Sequence, residues 1–153
     1  MTRDKGGLSL LFRANRHLCA LPLAQVAETM RHLPVSPIAG APDFVLGVAI
    51  IRGTPVPVID AARLLGAGES RPTRLIALRI DGRQVALAVD EVLGIRAMTR
   101  QSLRDLPPLL RAADGQAVSA IGALDAELLL FLETARMVPD ATWAALEAGA
   151  QAP

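Results

Sequence analysis

The chain has 153 residues, 52% of them hydrophobic and 20% charged, with 16 basic against 15 acidic side chains. Such a composition excludes disorder over most of the length, and a formal charge of +1 leaves no electrostatic footprint for nucleic acid. The single cysteine, Cys19, excludes an intrachain disulfide, and no apolar run reaches the ~18 residues of a membrane span.

Residues 1–7 lead directly into a strand pattern without a signal-peptide core, so a cytoplasmic protein is expected. Leu8, Leu10 and Phe12 alternate with Ser9, Leu11 and Arg13. After a turn at Asn15-Arg16, Leu18, Ala20 and Pro22 alternate with Cys19, Leu21 and Leu23, which predicts a hairpin. Residues 26–30 predict a third strand carrying Glu28, and residues 33–37 a proline-rich loop. Residues 44–60 then form two apolar arms about Arg52-Gly53-Thr54. Gly53 suits the positive φ of a short hairpin loop. Pro55 and Pro57 remove two donors, which predicts an edge or barrel-rim strand with Arg52 exposed at its tip. Asp60 predicts the N-cap of a short helix over 61–65, and residues 66–72 read as a linker.

In the second half, residues 75–80 and 84–90 flank Asp81-Gly82, the strongest hairpin signal in the chain. Residues 92–98 predict a strand carrying Gly94, and residues 102–106 a helical turn stopped by Pro107-Pro108. Residues 117–124 and 128–132 predict strands about Asp125-Ala126. Residues 134–138 predict a short helical segment. Asp140 predicts the cap of a last helix over 141–148, with Trp143 and Leu146 on one face and Gly149 as its stop.

The halves share a plan. A shift of 66 places Leu10 on Ile76, Phe12 on Leu78, Cys19 on Val85 and Val26 on Val92; a shift of 73 places residues 45–60 on 118–133. Two similar five-stranded units are therefore expected, about 7–66 and about 74–138, each small enough to need the other and to close its edges as a barrel.

Catalytic chemistry finds little support. His17 and Cys19 share a strand face but lack further ligands of matching type, so neither a metal nor another cofactor is expected. The glycines of 66–70 lack the Gly-Lys-Ser/Thr end of a phosphate loop. No serine sits in a nucleophile elbow, and Asp90-Glu91 reads as a solvated strand end because adjacent strand residues face opposite ways. Met30, Met98 and Met137 read as core filler. Aromatic content of 3% argues against base stacking. Surface binding is left. Arg52 is either a solvated turn charge or a guanidinium presented to a partner carboxylate or carbonyl. Glu28 is either a solvent-facing strand residue or a partner contact.

Residues 45–60, Leu21-Pro22-Leu23 with Val26-Ala27-Glu28, and residues 88–94 together resemble the CheW-like domain family over about residues 7–138. The resemblance implies an all-β fold of two SH3-like five-stranded barrel subdomains side by side, with short helices including one at the C-terminus over 139–153. It implies a stand-alone, non-enzymatic scaffold of bacterial chemosensory signal transduction. Its partners would be the regulatory domain of a CheA-type histidine kinase and the cytoplasmic tip of a methyl-accepting chemotaxis receptor, at membrane-associated arrays but without membrane insertion. It places Arg52 and Gly53 at the family's important arginine step, and Glu28, Val26 and Val92 at positions of partner contact. Ile50 departs from the pattern, being apolar where many members carry a polar residue. The rival function is a related module that competes for kinase or receptor surfaces.

Overall fold

The computed structural model describes residues 7–68, 70–97, 103–105, 118–125 and 127–132, with only the backbone described at 103–105, 119 and 120. In chain order the elements are β1 (Leu8–Ala14), β2 (His17–Pro22), a 3-10 turn (Leu23–Gln25), β3 (Val26–Arg31), β4 (Val45–Ile51), β5 (Thr54–Asp60), α1 (Ala61–Leu64), β6 (Arg74–Ile80), β7 (Arg83–Val89), β8 (Glu91–Ala97), β9 (Leu103–Asp105), β10 (Val118–Leu124) and β11 (Glu127–Leu132). Two-residue turns connect β1–β2, β4–β5, β6–β7 and β10–β11. Their first residues, Asn15, Arg52, Asp81 and Asp125, have φ of 57°, 50°, 50° and 52°. Such turns match the twist of the strands they join and need this left-handed backbone. Asn and Asp tolerate it through local side-chain hydrogen bonding; arginine has no such reason to be there.

The strands form two sheets, in the orders β8-β1-β2-β11-β10-β9 and β3-β6-β7-β5-β4. Five long strands in each correspond one to one under the sequence repeat, giving two SH3-like subdomains. Sheet membership corrects the expectation of two units contiguous in sequence. The β1–β2 hairpin lies in the sheet of β8 to β11, and the β6–β7 hairpin in the sheet of β3 to β5. Parallel pairing makes both exchanges: β2 with β11 at Leu18–Leu129, and β7 with β5 at Ala86–Val58. Each sheet is completed by the chain that leaves its edge strand. Beyond β3, Ser36 and Val48 of β4 exchange N–H···O bonds of 2.8 and 2.9 Å. Beyond β8, β9 pairs with β10.

Exchange explains the long apolar runs. One face of each exchanged hairpin, with Leu10, Phe12, Cys19, Leu21, Ile76, Leu78, Val85 and Leu87, packs into a core between the subdomains. Their other faces line the interior of each subdomain, with Leu11, Leu18 and Ala20 meeting Leu129, and Leu75, Ala86 and Ala88 meeting Val56 and Val58. Strands buried on both sides read as near-continuous hydrophobic sequence. Each fully buried Leu, Ile or Val contributes about 1.5–3 kcal/mol.

Three other expectations change. β5 is not an edge strand along its length, because β4 and β7 both flank it at Val58 and Ile59. Pro55 and Pro57 precede that stretch and pair only with β4, so their missing donors interrupt no second ladder. Residues 103–105 form a strand rather than a helical turn, because β10 offers its edge to them. Asp90 is more than a solvated strand end. Its carboxylate accepts the Asn15 N–H at 3.0 Å, and its own N–H donates to the Arg13 carbonyl at 2.9 Å, fastening the first hairpin turn. The expected cap at Asp60 is present, accepting from the N–H groups of Ala62 and Arg63 at 3.0 and 3.3 Å. The helices expected at 134–138 and 141–148, with Trp143 and Leu146, lie outside the described residues, as do Met98 and Met137.

Candidate functional site

The site begins with a register fault. β3 pairs with β6 as Val26–Leu78 and then Glu28–Ala77, so Ala27 is an extra residue in β3. A bulge of this kind re-aims the side chains after it. Val26 packs half-buried against the core between the subdomains. Two residues on, where simple alternation would give Glu28 the same face, Glu28 instead pairs beside Ala77, in the phase that turns Leu75 and Met30 into the subdomain interior.

Arg52 reaches Glu28 from the tip of the β4–β5 hairpin. Its Nε donates to Glu28 Oε2 at 2.7 Å and its Nη2 to Oε1 at 2.8 Å. This is the two-pronged geometry in which a guanidinium matches a carboxylate best. The Arg52 side chain is 79% exposed and that of Glu28 31%. The Arg52 contact holds the Glu28 carboxyl below its ordinary pKa, and Glu28 raises that of Arg52. Gly53, at φ 79°, completes the turn, with open space where a Cβ would stand. A guanidinium has several N–H donors, and Nη1 carries no part of the Glu28 contact, so Arg52 can bond a second acceptor without releasing the first.

Of the five residues singled out from the sequence, the structure thus joins Arg52 and Glu28 directly, with Gly53 beside them. Val26 lies on the same strand and faces the core between the subdomains. Val92 is its repeat counterpart: it pairs with Phe12 and packs on that same core from the other sheet, ahead of an equivalent bulge at Leu93. Val92 is not brought to Arg52.

Sequence reasoning missed two features. Ile50, two residues before Arg52, is 60% exposed, so the tip presents an apolar side chain beside the charge. On the other subdomain a cavity of about 250 Å³ is lined by Leu11, Leu18, Leu93, Ile95 and the Arg13–Glu127 pair. The alternation of Leu93 and Ile95 was its only visible signal. Among the described residues no group of three or more His, Cys, Asp or Glu is placed to hold an ion. Cys19 is buried, its thiol donating weakly to the His17 carbonyl at 3.7 Å, and burial pushes its pKa up to about 12. Among the described residues no helix is long and apolar enough to cross a membrane.

Comparison with known proteins gives the family and the fold. The chain is 26% identical over 132 residues to the chemotaxis protein CheW of Klebsiella aerogenes, covering 84% of this chain and 80% of that protein. It is 32% identical over 118 residues to protein FrzA of Myxococcus xanthus, covering 75% and 72%. The crystal structure of the scaffolding protein TtCheW from Thermoanaerobacter tengcongensis superposes with a TM-score of 0.75 at 24% identity, over 84% of this chain and 89% of that one, and shows the same fold. The family model for the CheW-like domain matches residues 9–142, and the chain belongs to the CheW-like domain family.

Proposed function

We propose that this chain is a non-catalytic adaptor that couples methyl-accepting chemotaxis receptors to the regulatory domain of a CheA-type histidine kinase. It works in the cytoplasm, recruited to membrane-associated receptor arrays. The observation that carries this reading is the Arg52–Glu28 pair at the exposed hairpin tip. The turn would be satisfied by Asn or Asp, as in the three other hairpins, yet arginine occupies it with φ at 50°. A residue held in a costly backbone region points to a use beyond the fold. Arg52, Gly53, Glu28 and exposed Ile50 form the first contact surface; half-buried Val26 and Val92 border a second along the seam between the subdomains. Apolar atoms supply area and the charge pair supplies specificity. Two subdomains sharing one core form a stiff spacer, which suits a protein that holds two partners in fixed relation.

The test is a charge exchange. Purified wild type, Arg52→Glu, Glu28→Arg and the double exchange are titrated against the kinase regulatory domain and the receptor tip, and receptor-controlled kinase activity is reconstituted. If Arg52 touches a partner, both single variants lose binding and the double exchange does not recover it. Full recovery by the double exchange assigns the pair to the fold alone. No binding of wild type to either partner overturns the adaptor reading, and inhibition of the reconstituted kinase would favour a competing module.

A further inference from the structure

Arg31 and Arg74 stand directly opposite each other in the antiparallel ladder of β3 and β6, and both are exposed. Among the ladder pairs of the described strands this is the one juxtaposition of like charges; Arg13, by contrast, lies opposite Glu91. Like charges directly across a sheet destabilise it. Three other arginines have carboxylate partners among the described residues: Arg13 has Glu127, Arg52 has Glu28 and Arg63 has Asp60. Neither Arg31 nor Arg74 makes an ion pair or side-chain hydrogen bond among the described residues.

The backbone beneath them is held firmly. Thr73 donates its N–H to the Val89 carbonyl at 3.0 Å and its hydroxyl to the Asp90 carbonyl at 2.8 Å, while its own carbonyl accepts the His32 N–H at 3.1 Å. Exposed Arg71 lies three residues ahead of Arg74, with Pro72 restricting the chain between them. The nearby Asp90 carboxylate is engaged by the Asn15 N–H. Two guanidinium stems from adjacent strands start about 5 Å apart, close enough to grip neighbouring carboxylates together.

We infer that Arg31 and Arg74, opposed across β3 and β6, form a docking point for a carboxylate-rich segment of a protein partner. The anion is a protein carboxylate rather than a membrane, because among the described residues the large exposed apolar side chains Leu8, Ile50, Leu93, Ile95 and Leu128 lie on β1, β4, β8 and β11 and none lies on β3 or β6. Nucleic acid is disfavoured by a net charge of +1 and by strands without an aromatic ring to stack on a base. The inference does not depend on the adaptor reading, since the ladder geometry carries it alone.

The full chain is titrated with a soluble oligoglutamate peptide, and in parallel with anionic phospholipid vesicles and a single-stranded oligonucleotide. Arginine Nε–H NMR signals report the contact. Expected are salt-sensitive peptide binding with perturbation of Arg31 and Arg74, about tenfold weaker binding in Arg31→Gln or Arg74→Gln, and none in the double variant. Arg31→Glu, which makes the opposed pair attractive, raises Tm while removing peptide binding. Equal binding by wild type and the double glutamine variant overturns the inference. So does a preference for vesicles or oligonucleotide over the peptide, or a fall in Tm in Arg31→Glu.

Discussion

Arg13 on β1 and Glu127 at the start of β11 are 114 residues apart in sequence and are joined by two hydrogen bonds of 2.7 and 3.0 Å. In the other subdomain Arg52 and Glu28 make the same two-pronged contact. Each pair ties the second hairpin of its half to a strand that is not its ladder neighbour, β11 to β1 and the β4–β5 tip to β3, but the signs are reversed. The hairpin supplies the arginine in one subdomain and the glutamate in the other. A charge pair at the hairpin end is therefore part of how both subdomains are fastened, and its presence does not by itself mark Arg52 as functional. What separates the two is placement. Glu127 sits in regular strand, whereas Arg52 occupies the left-handed turn position.

Replacing Arg52 by Asn separates fold from function. Asn suits φ of 50°, so the turn gains what the lost ion pair gave, and Tm at neutral pH stays within about 3 °C of wild type. Affinity for whichever partner contacts the tip falls by about tenfold or more. The pH dependence carries a sign. The folded pKa of Glu28 is lowered, so the pair's contribution is complete above the ordinary carboxylate value of about 4.3 and is lost as pH falls through the lower folded value. Thermal melts of wild type and Arg52→Asn, close at neutral pH, should therefore separate in acid, with wild type the less stable. Melts that stay coincident into acid would show that the pair is not what titrates.

Gly47 is where the subdomain of β3 to β7 is closed. Its φ is 141°, and a Cβ there would lie 2.7 Å from the Ser36 carbonyl carbon and 2.9 Å from Pro37 Cα. Gly47 follows the extra residue, Leu46, that shifts β4 against β5, and the Ser36 bridge passes directly over it. Gly47→Ala must break that bridge or strain the backbone, at a cost of about 3 kcal/mol or more. Urea denaturation measures this. Gly94, at φ 130° with open space around it, is the control: Gly94→Ala suffers the backbone strain without the clash and costs less.

Much of this fold was legible because its signals are local. Strand alternation, the two-residue turns, the Asp60 cap and the repeat shifts of 66 and 73 all match observed elements. What escaped is non-local. No residue pattern states that β2 pairs with β11 rather than with β5, since both hairpins are apolar on two faces and suit either partner. Bulges escaped as well. Reading period two through Val26, Ala27 and Glu28 places the valine and glutamate on one face; one inserted residue separates them and sends Glu28 to Arg52. The sequence thus named both members of the pair without indicating that they meet.

Cys19 tests the core between the subdomains. It is fully buried in the exchanged hairpin, and its pKa of about 12 reflects loss of hydration for the thiolate. The native thiol should react with a water-soluble disulfide reagent only at the rate of unfolding, through pH 9 and beyond. Stability from the neutral thiol is complete below the unfolded pKa of about 8.5 and fades as pH rises toward 12. Cys19→Ser, which puts a hydroxyl in that core, costs about 1–3 kcal/mol, whereas Cys19→Ala at the same site costs chiefly packing. Rapid labelling of the folded protein would contradict the burial.

The exchange of hairpins predicts an unusual dependence between the halves. Cutting the chain at Glu69, in the linker between Ala67 and Thr73, severs the covalent connection but leaves every strand pairing possible. Each half alone lacks the hairpin that completes its sheet. The first keeps β3, β4 and β5 without β6–β7, and the second keeps β8 to β11 without β1–β2. Apolar faces such as Leu75–Ile76 and Leu18–Cys19 would then have no cover. Fragments 1–68 and 70–153 expressed separately should show no cooperative thermal transition, whereas mixing them during refolding should restore one, with a Tm that rises with concentration as for any bimolecular fold. Two barrels folded from contiguous sequence would behave oppositely: each fragment would melt cooperatively by itself and mixing would change little. Circular dichroism melts of the two fragments and their mixture distinguish these outcomes.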